Sequence, residues 1–192
     1  MTMPRVLRLR PDVRLIALQM EHAGQMYEWM CDPEVSLSIG LGKEPSLAKT
    51  HEWLSAALRD PLVRPFAILL NGRHVGNVVL DRIDDYLATA RLSIYIGEPS
   101  ARGTGVGLSA TYAALAEAFQ TLNLHKVWLT VHARNFAAIH TYSKLGFQLE
   151  GIHRDEFRLQ NERLPRLYMG LLSQEFRQLC VETSFNEQAD RE

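Results

Sequence analysis

Six residues near the middle of the chain, Arg102-Gly103-Thr104-Gly105-Val106-Gly107, have the makings of an anion cradle. Upstream, Ala90 to Ile96 alternates and is rich in β-formers, which reads as a strand. Downstream, Leu108, Leu115, Ala118, Phe119 and Leu122 recur at helical spacing over Leu108 to Leu122. The first N–H groups of a helix lack internal partners and lie at the positive end of its dipole. Missing side chains at Gly103, Gly105 and Gly107 let a phosphate approach the backbone. Arg102 adds a planar fork of donors suited to phosphate oxygens. A nucleotide P-loop is excluded, because Gly107 is followed by Leu108-Ser109 and not by Lys-Ser/Thr. The spacing Gly-x-Gly-x-Gly also fits a dinucleotide fingerprint poorly. The plain alternative is a glycine-rich turn that holds nothing.

A second constellation follows. Lys126 to Val131 reads as a strand with Val127, Leu129 and Val131 on one face and Trp128 and Thr130 on the other. Phe136 to Leu145 reads as a short helix, capped by Asn135 and ended by Gly146 in a left-handed conformation. Asn135 and Tyr142 are about two turns apart and point the same way.

The first stretch fits Arg/Gln-x-x-Gly-x-Gly/Ala at Arg102, Gly105 and Gly107. The second fits Asn-x-x-Ala-x-x-x-Tyr-x-Lys-x-Gly-Phe at Asn135, Ala138, Tyr142, Lys144, Gly146 and Phe147. In this order and separation the chain resembles the GNAT acetyltransferases, over residues 6–173 and most closely over Ile94 to Glu150. The resemblance implies acetyl-CoA as co-substrate, held by the loop of Arg102, Gly103, Thr104, Gly105, Val106 and Gly107. It also implies a splay between the fourth and fifth strands, near Leu92 and Val127, into which the acyl-CoA enters. A bulge in the family's fourth strand leads us to expect backbone donors at Ile94, Tyr95 and Ile96. Asn135 is expected to touch the cofactor or brace the splay, and Lys144 to reach its phosphates. A plain helix cap and a solvated lysine are the alternatives.

Thioester aminolysis needs few protein groups. A thiolate leaves, and a phenol near pKa 10 is close enough to a thiol near 8.5 to protonate it. Tyr142 is the candidate acid, with a core tyrosine as the alternative. The incoming amine must be neutral. Asp81, Asp84, Glu98 and His74 are candidate bases, though none has a distinguishing context and water can serve instead. Trp29 and Trp53, on the first two helices, are candidates to line the acceptor pocket, against a role in core packing.

Composition narrows the alternatives. A net charge of −1 gives no basic field to recruit nucleic acid. Cys31 and Cys180 are far apart, match no metal spacing and read as reduced thiols of a cytoplasmic protein; no metal is expected. No apolar run is long enough for a membrane span, and the N-terminus lacks a signal-peptide core. A homodimer is the default among oligomers.

The remaining elements are read in chain order. Val6 to Ala17 is expected as a strand, Glu21 to Met30 as a helix ended by Asp32-Pro33, and Ser36 to Pro45 as a loop. Ser46 to Arg59 is expected as a helix buried along Leu47, Trp53, Leu54, Ala57 and Leu58. Asn71-Gly72 between apolar runs is a hairpin signal. Late strands at Phe147 to Phe157 and Leu164 to Leu172 turn at Gln160-Asn161-Glu162. A short helix over Gln174 to Glu182 and a polar, disordered tail from Thr183 are expected after the domain. The fold class is α/β: one mixed, mostly antiparallel splayed sheet of six or seven strands with helices on both faces.

The acceptor is less legible. Tyr27 to Met30 with Thr50 to Leu54 looks like the front half of GNATs that acetylate nucleotide-linked amino sugars, and Arg154, Arg158, Arg163 and Arg166 suit a diphosphate. A nucleotide amino sugar is therefore the first expectation for this small-molecule amine. The layout is also similar to that of ribosomal-protein N-terminal acetyltransferases, so a protein N-terminus is the second. An acyl-CoA-binding regulator without turnover is the third, and the intact Tyr142 argues against it.

Overall fold

The computed structural model describes residues 7–179. Its seven strands are β1 (Val13–Ala17), β2 (Arg64–Leu70), β3 (Arg73–Asp84), β4 (Thr89–Ile96), β5 (Lys126–His132), β6 (Gln148–Leu159) and β7 (Glu162–Leu172). Five helices join them: α1 (Ala23–Cys31), α2 (Pro33–Ser38), α3 (Leu47–Ala57), α4 (Val106–Ala116) and α5 (Phe136–Lys144). The sheet order is β1-β2-β3-β4-β5-β7-β6, antiparallel at every pairing except β4 with β5. Residues 173–179 are helical; the remainder of the expected last helix, Cys180 and the polar tail lie outside the described residues.

The strands follow local chemistry. Asn71 and Gly72 both hold positive φ, 50° and 79°, and close the β2–β3 hairpin as the dipeptide predicts. Gln160 and Asn161 turn β6 into β7. Val127, Leu129 and Val131 face the main core with Ala110, Ala114 and Leu115 of α4 and with Tyr142 of α5. The opposite face carries a smaller cluster of Leu18, Ala23, Met26, Leu54 and Ala67 under α1 and α3.

Two expectations are corrected. Asp32-Pro33 ends α1 as expected, but Ser36 to Ser38 belong to α2 and not to a loop: the Asp32 carboxylate accepts the Glu34 N–H at 2.9 Å and Pro33 takes the first position of α2. Proline is well placed there because that N–H would lack a helical partner anyway. In α3 the buried residues are Thr50, Leu54 and Ala57, while Leu47, Trp53 and Leu58 stand exposed. The face is narrower than the apolar residues suggested, because only a small cluster lies beneath it. In α1 the buried set is Ala23, Met26 and Trp29.

Trp29 packs flat over Gly97, just beyond β4, where an added Cβ would lie inside the indole. Gly97→Ala is therefore expected to cost about 1–3 kcal/mol of stability by overpacking. Chemical denaturation of the two proteins measures it, and equal stability would show that the α1 corner moves freely off β4.

Candidate active site

The site begins where two strands part. β4 and β5 pair only at Thr89–Lys126, Ala90–Val127 and Arg91–Trp128. Beyond Arg91 the two strands diverge while β4 stays paired with β3 as far as Ile96 and β5 with β7 as far as His132. A wedge therefore opens in the middle of the sheet. No bulge lies within Ile94 to Ile96; the two-to-one contact falls at Gly97 and Glu98, whose N–H groups both reach Val75 O at 2.9 and 3.0 Å. That bond fixes the phase of the ladder. Hydrogen-bonded pairs alternate along an antiparallel pair, so Tyr95 bonds across to Asn77 and the amides of Ile94 and Ile96 turn into the wedge. The donors come from the missing neighbour strand and not from a bulge, and Tyr95 is not among them.

At the wide end of the wedge lies the glycine loop. Gly103 and Gly105 hold φ of 72° and 86°, and Gly105 is the left-handed residue from which α4 departs. Gly103, Thr104 and Gly105 are exposed, so the N-terminus of α4 is open to an anion. Arg10, which no motif singled out, donates to Thr104 O at 3.2 Å while its own N–H bonds Ser109 Oγ at 2.8 Å. These contacts span more than ninety residues of sequence, so no local pattern signals them. Arg102 is already engaged: its guanidinium meets Ile96 O at 3.1 Å, Gly97 O at 2.7 Å, Asp32 at 2.9 Å and Glu34 at 2.6 Å. The expected phosphate fork instead spans the loop and the start of α2.

Tyr142 projects from α5 into the main core and is 8% exposed. Burial pushes its phenol up to about 12. Asn135 caps α5, accepting the Ala138 N–H at 3.1 Å, and Lys144 is exposed at the far end of that helix. On the opposite face, Trp29 is buried against the His74 and Tyr95 rings, at 4.7 and 6.3 Å between centroids. Trp53 stands exposed on α3. The two tryptophans do not form one pocket wall.

The four candidate bases are all occupied. Asp81 holds Arg91 bidentately at 2.8 and 2.6 Å. Asp84 accepts the Leu87 N–H, and Glu98 caps the turn at Ser100. His74 Nε2 meets Asn77 Oδ1 at 2.9 Å, and the Asn77 amide donates to the Tyr95 hydroxyl at 2.6 Å. Burial raises the Tyr95 phenol to about 12. Sequence reasoning passed over His132, at the end of β5. Its ring stacks on Phe157 at 4.6 Å, and its Nδ1 is, among the described residues, the one buried side-chain polar atom without a partner. The described residues contain no cluster of His, Cys, Asp or Glu fit to hold a metal, and no helix long and apolar enough to cross a membrane.

Residues 12–148 match the Acetyltransferase (GNAT) domain, and the chain belongs to that family. It is an acetyl-CoA-dependent N-acetyltransferase. It is 26% identical over 174 residues to the spermidine N(1)-acetyltransferase of Escherichia coli (strain K12), covering 88% of each chain. The fold matches the spermidine N-acetyltransferase of Vibrio cholerae solved with CoA and spermine, with a TM-score of 0.82 and 24% identity over 88% of this chain and 99% of that one. A dodecameric structure of the Vibrio cholerae enzyme matches with a TM-score of 0.76 and 25% identity, over 87% and 97% of the two chains.

Burial holds His74 and His132 below their ordinary value of 6.5, and at His132 the neighbouring Arg134 and Arg166 act in the same direction. The folded protein then binds fewer protons than the unfolded chain below that value. Their contribution to stability is complete above about pH 6.5 and is lost as the pH falls through their lowered folded values. His132→Phe keeps the stacking and removes the orphan nitrogen, so it is expected to add about 1 kcal/mol and to flatten the acid side of a melting-temperature profile. An unchanged profile would show that His132 is not held neutral by its surroundings.

Proposed function

We propose that the chain transfers the acetyl group of acetyl-CoA to a primary amine of an aliphatic polyamine, with Tyr142 as the acid. The observation that carries the acceptor is the correspondence to a spermidine N(1)-acetyltransferase along 88% of both chains. The sheet face opposite α4 and α5 supports it. Trp128 and Tyr168 stack there at 6.2 Å and 11°, aromatic area for a methylene chain beside Arg82 and His153, which also lie against these rings, and the Glu156 carboxylate accepts from the Tyr168 hydroxyl at 3.2 Å. The hairpin arginines do not gather around a diphosphate. Arg158 donates to Gln160 O in the turn and Arg163 to Asp155 O across the hairpin, and Arg166 lies over Phe157 beside Glu156. A nucleotide-linked sugar therefore has less to hold it than the sequence suggested.

In this reading acetyl-CoA lies in the wedge, its diphosphate against the amides of residues 103–107. The neutral amine attacks the thioester carbonyl and forms the C–N bond. The oxyanion is met by the N–H groups that β4 turns into the wedge, at Ile94 or Ile96. The intermediate collapses with cleavage of the C–S bond, and the sulfur takes a proton from Tyr142. A phenol at about 12 is protonated at every working pH. It is also a weaker acid than a thiol near 8.5, so complete transfer even to the departed thiolate would run uphill by ~5 kcal/mol. Tyr142 therefore donates to the sulfur as C–S cleavage builds charge there, and the phenolate regains its proton from the water that takes up the amine's proton. The amine's proton leaves to water, since the four expected bases are tied into structural contacts.

The test is thiol release from acetyl-CoA with spermidine, spermine, nucleotide amino sugars and N-terminal peptides, using the wild type and Tyr142→Phe. Turnover is expected with the polyamines. In the variant kcat should fall by roughly 10²-fold or more while acetyl-CoA affinity holds. Turnover confined to an amino sugar or a peptide would overturn the acceptor, and an undiminished kcat in the variant would remove Tyr142 from the chemistry.

A further inference from the structure

Arg102 is the first residue of the loop signature, yet its side chain turns away from the loop's open side. Its Nε and one terminal nitrogen are spent on the carbonyls of Ile96 and Gly97, at the end of β4. The fork then crosses to the start of α2, where it meets Asp32 and Glu34 at 2.9 and 2.6 Å. Asp32 works in two directions. One carboxylate oxygen caps α2 at the Glu34 N–H, and the other holds Arg102. The guanidinium keeps the Asp32 carboxyl below its ordinary range, with the cap adding to the effect. Trp29, whose carbonyl accepts the Asp32 N–H, presses on Gly97 from the same corner. One side chain thus joins three pieces of backbone: the end of β4, the cofactor loop and the α1–α2 corner.

We propose that Arg102 is a positioning residue that latches the acyl-CoA loop to the α1–α2 corner, and that Asp32 and Glu34 are the other half of that latch. The proposal rests on the reading of residues 102–107 as the cofactor loop. Arg102 holds the amides of Gly103 to Gly107 at a fixed distance from β4, so the diphosphate meets donors already in place. The helices on the acceptor side are joined to that loop through the same contact. The shape of the acceptor side and the affinity for acetyl-CoA are therefore coupled.

Direct binding of acetyl-CoA, with no acceptor present, separates this role from that of a phosphate ligand. The deciding variant is Asp32→Asn with Glu34→Gln, which keeps the side-chain shapes and removes two negative charges. If Arg102 were a phosphate ligand, this change would free its fork and raise the local positive potential, so an anionic cofactor would bind equally or more tightly. The latch predicts the reverse, a loss of roughly three- to tenfold in affinity. It also predicts that adding Arg102→Ala to the double variant costs no more than Arg102→Ala alone, because the three residues form one unit. Arg102→Lys is a further check. Lysine keeps the charge but not the fork, so the latch predicts binding as weak as in Arg102→Ala, whereas a phosphate ligand would keep most of its affinity. Gly105→Asp, measured alongside, reports on the loop itself. Unchanged acetyl-CoA affinity there overturns the loop reading and the latch with it. Unchanged or tighter binding in the Asp32→Asn, Glu34→Gln protein, with Gly105→Asp impaired, overturns the latch alone.

Discussion

After three residue pairs, β4 and β5 stop sharing hydrogen bonds, and the rest of the site depends on that parting. Backbone N–H groups are obligatory donors, and a central strand normally satisfies them on both sides. Here Ile94 and Ile96 have a strand on one side only. The wedge is held open because each strand is secured by its other neighbour: β4 pairs with β3 through Gly76–Ile96, and β5 with β7 through His132–Arg166. The cost of unpaired amides is borne by a sheet that is otherwise continuous. In the proposed reaction an acyl-CoA thioester lies in the wedge and supplies acceptors where the fifth strand would have been.

The two faces of the sheet then divide the work. The face under α4 and α5 is packed with aliphatic residues and encloses Tyr142, so the phenol sits in a medium that keeps it neutral. The other face carries aromatic rings, paired charges and the helical corner of α1 and α2. Tyr142 and His132 thus stand on opposite faces of the sheet. In the proposed reaction an acceptor on the second face meets the thioester through the gap. Charges there are largely compensated in pairs, such as Arg91 with Asp81 and Arg134 with Glu162. In the proposed reaction, recognition of a flexible cation therefore relies on aromatic surface as much as on carboxylates.

Much of this was legible in the sequence where the chemistry is local. Asn71-Gly72, the glycines of the loop, Asn135 as cap and Gly146 as helix end each act within a few residues, and each stands where its type predicts. The alternation of Val127, Leu129 and Val131 gave the buried face of β5. What could not be read is set by distant neighbours. Arg102 looks like a phosphate fork until Asp32 and Glu34, about seventy residues away, are brought against it. Pro33 looks like a helix breaker until Asp32 is seen to cap the helix that it opens. Tyr142 has an ordinary phenol's acidity in a sequence; only the core around it moves that value. The face of α3 was misjudged because apolar residues at helical spacing do not say how wide a surface lies beneath them.

The central claim is that acetyl-CoA takes the place of the missing strand. Amide hydrogen exchange, followed residue by residue with and without acetyl-CoA, tests it most directly. The account predicts new protection at the amides of Ile94 and Ile96 and at residues 103–107, with little change at Tyr95, already bonded to β3. Binding that leaves these amides exchanging as before, with protection gathered on another face of the sheet, would contradict it.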